Sequence, residues 1–125
     1  MVRKRVFFSG GASCLAANVA AISSNDDHRV FANDRNGEPL CTQRTDSEDA
    51  ANLEMDELGK AISGCGKWAT FSNGARCLVA LIDGVTPTND HRILVKSRSG
   101  AVLCSVKCNS TEEVEQELRL FNQQI

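Results

Sequence analysis

The chain of 125 residues has no tyrosine, one tryptophan and only five phenylalanines. So few aromatics weigh against a surface built mainly to stack bases. No apolar run is long enough to read as a bilayer-spanning helix, so no membrane partner is expected. Neither a GxxxxGK[ST] loop nor a GxGxxG opening a helix occurs, which leaves no phosphate loop and no dinucleotide fingerprint. Six cysteines are present but no CxxC pair; the closest two are Cys104 and Cys108. Structural zinc sites normally show two tight pairs, so no metal and no cofactor are expected, and cysteine reads as a small buried apolar residue. The 16 carboxylates outnumber the 14 lysines and arginines, for a net charge of −2, which excludes a protein that simply coats nucleic acid.

What the chain does have is self-similarity. Offset by 63 positions, Phe8-Ser9-Gly10-Gly11-Ala12-Ser13-Cys14-Leu15 falls on Phe71-Ser72-Asn73-Gly74-Ala75-Arg76-Cys77-Leu78. Asp27-His28-Arg29-Val30 falls on Asp90-His91-Arg92-Ile93, and Leu40-Cys41 on Leu103-Cys104. About 18 of 62 aligned positions are identical without a gap, where unrelated sequences of average composition give roughly 4. The expected organisation is therefore a tandem duplication, with repeat 1 over 1–62 and repeat 2 over 63–125, the two forming one compact domain related by a pseudo-two-fold axis. The repeat also bears on the N-terminus. Met1 to Arg5 is basic and Val6 to Ile22 lacks acids, a pattern similar to a targeting signal. Its counterpart, Trp68 to Val85, lies mid-chain, so the segment reads as folded structure in both copies. The expected location is intracellular and cytoplasmic, with a mitochondrial location as the alternative that the basic N-terminus offers.

Each unit reads as ββββα, and the expected fold class is α+β with antiparallel sheets and one helix per unit. Gly10-Gly11, Asn73-Gly74, Asn36-Gly37 and Ser99-Gly100 are read as two-residue hairpin loops. They bound strands over 3–9, 12–21, 28–35 and 38–44, then 66–72, 75–83, 91–98 and 101–108. Asp46 or Ser47 opens the first helix; Ser110 opens the second, with Glu113 completing a capping box. Ala51, Met55, Leu58 and Ile62, with their counterparts Val114, Leu118, Phe121 and Ile125, form core-facing stripes. The strand after Arg76 is apolar on both faces and is expected to pack against the other copy. In the hairpins, Val30, Ala32, Ile93, Val95, Cys104 and Val106 face the core. Leu103 and the cations lie on the other face.

Three chemistries fit this frame. A non-catalytic interaction or assembly module, binding another protein or itself, needs only a scaffold and unpaired strand edges. Single-stranded nucleic-acid binding would use a basic sheet face. Arg29, Arg35, Arg44, Arg92, Lys96, Arg98 and Lys107 would track phosphates, and Phe31, Phe7 or Trp68 would stack bases. The paired ββββα order resembles that of PUR repeats and Whirly proteins, and this resemblance implies the same ligand class. An enzyme would use the paired Asp-His-Arg elements, with Asp27 orienting His28 and Asp90 orienting His91. No serine or cysteine nucleophile can be assigned to either histidine, so the interaction module is the leading expectation. Leu120, off the helical stripe, is a further candidate contact.

Overall fold

The computed structural model describes residues 4–64 and 66–125. Arg3, part of the first expected strand, and Cys65 lie outside them. The chain is α+β with antiparallel sheets. Its elements are β1 (Arg5–Phe7), β2 (Ser13–Leu15), a 3-10 turn (Ala16–Asn18), β3 (Ala21–Ser24), β4 (Arg29–Asn33), β5 (Pro39–Arg44) and α1 (Glu48–Ile62). They continue with β6 (Trp68–Thr70), β7 (Arg76–Leu78), a 3-10 turn (Val79–Leu81), β8 (Gly84–Pro87), β9 (Arg92–Lys96), β10 (Val102–Lys107) and α2 (Thr111–Asn122). Every strand of the first half has a counterpart of equal length 63 residues on.

The single strand expected over 12–21 is broken. The backbone leaves the extended ladder at Leu15, makes one 3-10 turn closed by Val19 N–H to the Ala16 carbonyl at 3.1 Å, and resumes as β3. The strand expected over 75–83 breaks in the same way, and β8 occupies residues read as loop. Each unit therefore has five strands rather than four. Such a turn needs neither Gly nor Pro, and its three apolar or small residues carry no breaker signal.

The four glycine hairpin loops are one residue longer than expected, and a third loop of the same kind joins β3 to β4 and β8 to β9. In each, the first residue accepts from the N–H three positions on and donates to the carbonyl four positions on: Phe8–Ala12, Asp34–Glu38 and Asn25–Arg29, with their counterparts 63 residues later. This is a type I turn closed by a left-handed residue. Gly11, Gly37, Gly74 and Gly100 take that place with φ of 81–101°. At the third loop of each half the place belongs to His28 (φ 63°) and His91 (φ 64°). The longer loops put bulges into β4–β5 and β9–β10, between Ala32/Asn33 and between Val102/Cys104. Pairing beyond the bulges follows the expected register, with Val30 opposite Gln43 and Ile93 opposite Val106. The bulge turns Leu103, expected on the cationic face, fully into the core.

The strands form sheets ordered β1-β2, β10-β9-β8 and β5-β4-β3-β7-β6. The five-stranded sheet joins the halves, since β3 pairs with β7 through Ala21–Cys77 and Ile22–Arg76. β10 lies across the face of β3. Ser23 and Ser105 exchange two hydrogen bonds of 3.1 Å there, and Asn33 Nδ2 donates to the Leu103 carbonyl at 3.0 Å. Ser23 and Asn33 are the buried polar groups of this junction, and both are satisfied.

Helix α1 is capped by Ser47, whose side chain accepts from Ala50 N–H at 3.1 Å, and buries Ala51, Met55, Leu58 and Ile62. Its Gly59 gives the Arg76 guanidinium room to cross the helix, where Arg76 meets Asp56 at 3.5 Å. Helix α2 starts at Ser110, which accepts from Glu113 N–H at 3.2 Å, while Glu113 accepts from Asn109 N–H. Val114 and Phe121 are buried, and Phe121 stacks on Phe71 with centroids 4.0 Å apart. Ile125, expected in this stripe, lies past the end of α2 and is 46% exposed. Sequence reading missed a matched clamp. Glu54 accepts from Ser9 N–H at 2.7 Å, and Glu117 from Ser72 N–H at 3.0 Å, tying each helix to the first hairpin of its own half. The signal was available, because Ser9, Glu54, Ser72 and Glu117 are all identities of the repeat.

Candidate functional site

The two halves use the same strand differently. β3 is paired on both sides, by β4 and β7, and residues 19–23 are all buried. Among the described residues, its counterpart β8 is paired only by β9 and forms an edge. Ile82, Gly84 and Val85 are half-buried there, and Asp83 and Thr86 are exposed. Where Leu78 N–H donates to the Ala20 carbonyl at 2.9 Å, the equivalent bond from Leu15 to Asp83 is missing among the described residues. β2, the counterpart of β7, is correspondingly paired by β1 alone among the described residues. The substitutions explain the difference. Asp83 stands where Ala20 is 2% exposed, and a carboxylate placed there would lose its hydration without a partner. Gly84 replaces Ala21 and supplies no side chain to a core. Pro87, which has no N–H, closes the strand, a residue suited to an edge.

Around this open edge Val79, Leu81, Ile82 and Val85 pack partly against the core and partly face solvent. Elsewhere the exposed large apolar side chains are scattered: Phe7, Leu40, Leu53, Val102, Leu120 and Ile125. Leu120 is thus exposed, as its place off the helical stripe implied. Trp68 is half-buried against the core, whereas Phe7 is 64% exposed.

A polar cleft of about 300 Å³ lies where the halves meet. Its walls include His28, Asp26, Glu48, Arg92, Lys107 and Glu113. Arg92 donates to both oxygens of Asp26 at 3.1 and 3.2 Å, and Lys107 stands 3.9 Å from the same carboxylate. Arg92 and Lys107 are directly opposite across β9–β10, so the carboxylate offsets a like-charge pair. Arg29 and Arg44 are opposite in the same way across β4–β5. The turn residue matching Asp26 is Asn89, and among the described residues no carboxylate lies within ion-pair distance of Arg29 or Arg44. Arg29 instead donates to Thr42 Oγ1 at 3.1 Å. Arg35 and Arg98 are exposed in the β4–β5 and β9–β10 loops, and Lys96 is half-buried at the end of β9. Two of the seven candidate cations are therefore occupied by Asp26.

The paired Asp-His-Arg elements are turn structures. Both histidines fill left-handed turn positions, and their carbonyls receive backbone bonds from Thr45 and Cys108 at 3.1 and 2.8 Å. His28 lines the cleft, whereas the His91 ring stands 3.4 Å from Thr111 Oγ1 at the start of α2. Asp27 and Asp90 are exposed. The Thr88 hydroxyl bonds the Asp90 carboxylate and holds it below the usual carboxylate range. Neither aspartate has a hydrogen bond to its neighbouring histidine among the described residues. No group of three or more His, Cys, Asp or Glu side chains converges as metal ligands among the described residues, and no described helix is long and apolar enough to cross a membrane.

No protein-family model, curated protein or solved structure matches this chain.

Proposed function

We propose that the chain is a non-catalytic assembly module, built by tandem duplication of one strand-rich unit, that associates with a second copy of itself through open strand edges. Units 1–62 and 63–125 form one domain in this reading. β8 of one copy receives β2 of the other in the register that β7 uses on β3. Gly84 then lies opposite Cys14, Val85 lies opposite Ser13, and Leu15 N–H reaches the Asp83 carbonyl.

The single observation that carries this is the unmade pairing. The chain holds both halves of a ladder that it completes once internally, between β3 and β7, and leaves open once, at β8 and β2. Main-chain addition at such an edge provides affinity, and the half-buried apolar side chains beside it provide area. Reciprocal β8–β2 contacts close a two-fold dimer with no edge left over at that site. Sedimentation velocity from low micromolar to several hundred micromolar tests it. A concentration-dependent dimer is expected, reduced to monomer by Val85→Lys, which sets a charge on the edge. A wild-type chain that stays monomeric throughout rejects the reading.

A second reading rests on the Arg29–Arg44 pair, two facing cations without a carboxylate beside half-buried Phe31. A single-stranded nucleic acid would set phosphates on the pair and a base on Phe31. Fluorescence polarisation with an oligo-dT probe at two salt concentrations tests it, and no binding at the lower salt removes it.

A further inference from the structure

The repeat also matches cysteines in pairs, since Cys14 and Cys41 recur as Cys77 and Cys104. Both pairs join the same two strands of their unit: β2 packs on β5, and β7 packs on β10. In the first half, Cys14 is 7% exposed, and the half-buried Cys41 lies within electrostatic reach of its thiol. In the second half, Cys77 lies opposite Ala21, and Cys104 Sγ reaches the carbonyl of the adjacent Ile22 at 3.6 Å. These two thiols share a core site at 0% and 1% exposure. Chance placement of a lone buried cysteine does not account for two thiols meeting at the same pair of positions in both halves.

We propose that Cys14 and Cys41 are a thiol–disulfide site that a small disulfide such as glutathione disulfide closes in the folded protein, and that Cys77–Cys104 is its sealed counterpart. The Cys41 thiolate attacks one sulfur of the oxidant. The oxidant's S–S bond breaks, a Cys41–glutathione mixed disulfide forms, and one glutathione thiolate leaves and takes up a proton. The Cys14 thiolate then attacks the Cys41 sulfur and displaces the second glutathione. Two protein thiols lose two protons and two electrons, and glutathione disulfide becomes two glutathione molecules. Access orders the steps: Cys41 is open to the reagent, and Cys14 lies behind it.

The same burial sets the rate. Desolvation first, then the neighbouring Cys14 thiol, push the Cys41 thiol up to about 12, with Arg5 opposing. Its thiolate is scarce at neutral pH, so closure is slow and quickens about tenfold per pH unit over the range well below that value. Burial likewise holds Cys77 up at about 12, and it has no access to the oxidant at all.

The test uses the full chain carrying Cys65→Ser, so that the thiols present are those of Cys14, Cys41, Cys77, Cys104 and Cys108. The folded protein is equilibrated across glutathione/glutathione-disulfide ratios, quenched with one alkylating agent, denatured, labelled with a second and digested for mass spectrometry. A Cys14–Cys41 linked peptide is expected at oxidising ratios and is reversed by dithiothreitol, while Cys77 and Cys104 take only the post-denaturation label. Adding Cys14→Ser is expected to stop the reaction at the Cys41–glutathione adduct. The proposal is overturned if wild-type Cys41 accumulates as that adduct without the crosslink, if Cys14 remains a thiol at every ratio, or if Cys77–Cys104 links first.

Discussion

β3 and β8 begin from related instructions and end in different places. Val19-Ala20-Ala21-Ile22-Ser23 is buried between β4, β7, α1 and β10, whereas Ile82-Asp83-Gly84-Val85-Thr86 borders a sheet. The two runs share no identical residue, yet both keep the strand length and the hairpin that follows. Local structure is the same in the two runs and the tertiary role is not. Strand formation depends on backbone geometry and flanking turns, while a central place in a sheet requires every side chain on both faces to be small or apolar. One carboxylate at position 83 is enough to forbid the second role and permit the first.

The comparison breaks most sharply in the core. Ile22→Ala removes side-chain volume at a site with 0% exposure, and a loss of about 2–4 kcal/mol is expected. Val85→Ala, at the matched edge position, should cost less than about 1 kcal/mol in the monomer at low micromolar concentration, because water already reaches it there. Urea denaturation of the two variants measures the contrast. Equal losses would mean that β8 is buried in solution by a partner, which would support the assembly reading.

A smaller effect comes from the charge at the cleft. Asp26→Asn gives the first half the residue that the second half carries at position 89. Arg92 and Lys107 then face each other without a carboxylate, and a destabilisation of about 0.5–1 kcal/mol is expected. Because Asp26 is well exposed, the loss should shrink as salt is raised, which distinguishes it from a packing defect. A salt-independent loss would place the effect in the turn backbone instead.

The helix caps should behave alike. Ser47→Ala and Ser110→Ala each remove a side-chain acceptor from a first-turn N–H, and about 1 kcal/mol is expected at either site. The second should be the larger by a few tenths, because the Ser110 cap holds Glu113, whose carboxylate accepts from Asn109 N–H, one residue before the cap rather than from Ser110 itself as in a capping box. Thermal unfolding of the two variants checks the order.

These caps were legible in the chain, as were β1, β2, β4 and β5 with their counterparts, the four glycine hairpin loops and the Ala51-Met55-Leu58-Ile62 stripe. Each depends on residues within a few positions of one another. The 3-10 break after Leu15 was not legible, because Val79-Ala80-Leu81 holds no breaker and Ala16-Ala17-Asn18 holds only a single Asn, with no Gly or Pro. The sheet order was not legible either. A repeat predicts symmetry, and the asymmetric choice of β7 on β3 over β2 on β8 depends on which copy of one strand tolerates burial. Reading Ala20 against Asp83 and Ala21 against Gly84 contains that answer, but only once the position is known to be central. The like-charge partners Arg29–Arg44 and Arg92–Lys107 followed from hairpin register. Their differing relief, Asp26 against Asn89, required knowing that the turn of one half meets the sheet of the other.

The smallest expected effect concerns the histidines. Four of the six hairpin loops place glycine at the left-handed closing position, and His28 and His91 hold it in the other two. A non-glycine residue there carries roughly 1 kcal/mol of backbone strain, while glycine gives back part of that gain through its freer unfolded chain. His28→Gly and His91→Gly should therefore stabilise the fold slightly, by about 0.5 kcal/mol at most, provided the imidazoles contribute nothing else. Loss of stability at both sites would show that the rings supply packing that outweighs the strain. Loss at position 91 alone would assign that contribution to the contact with Thr111. A gain at both, with unchanged self-association, would leave the histidines as turn residues and remove the last support for acid–base chemistry in the cleft.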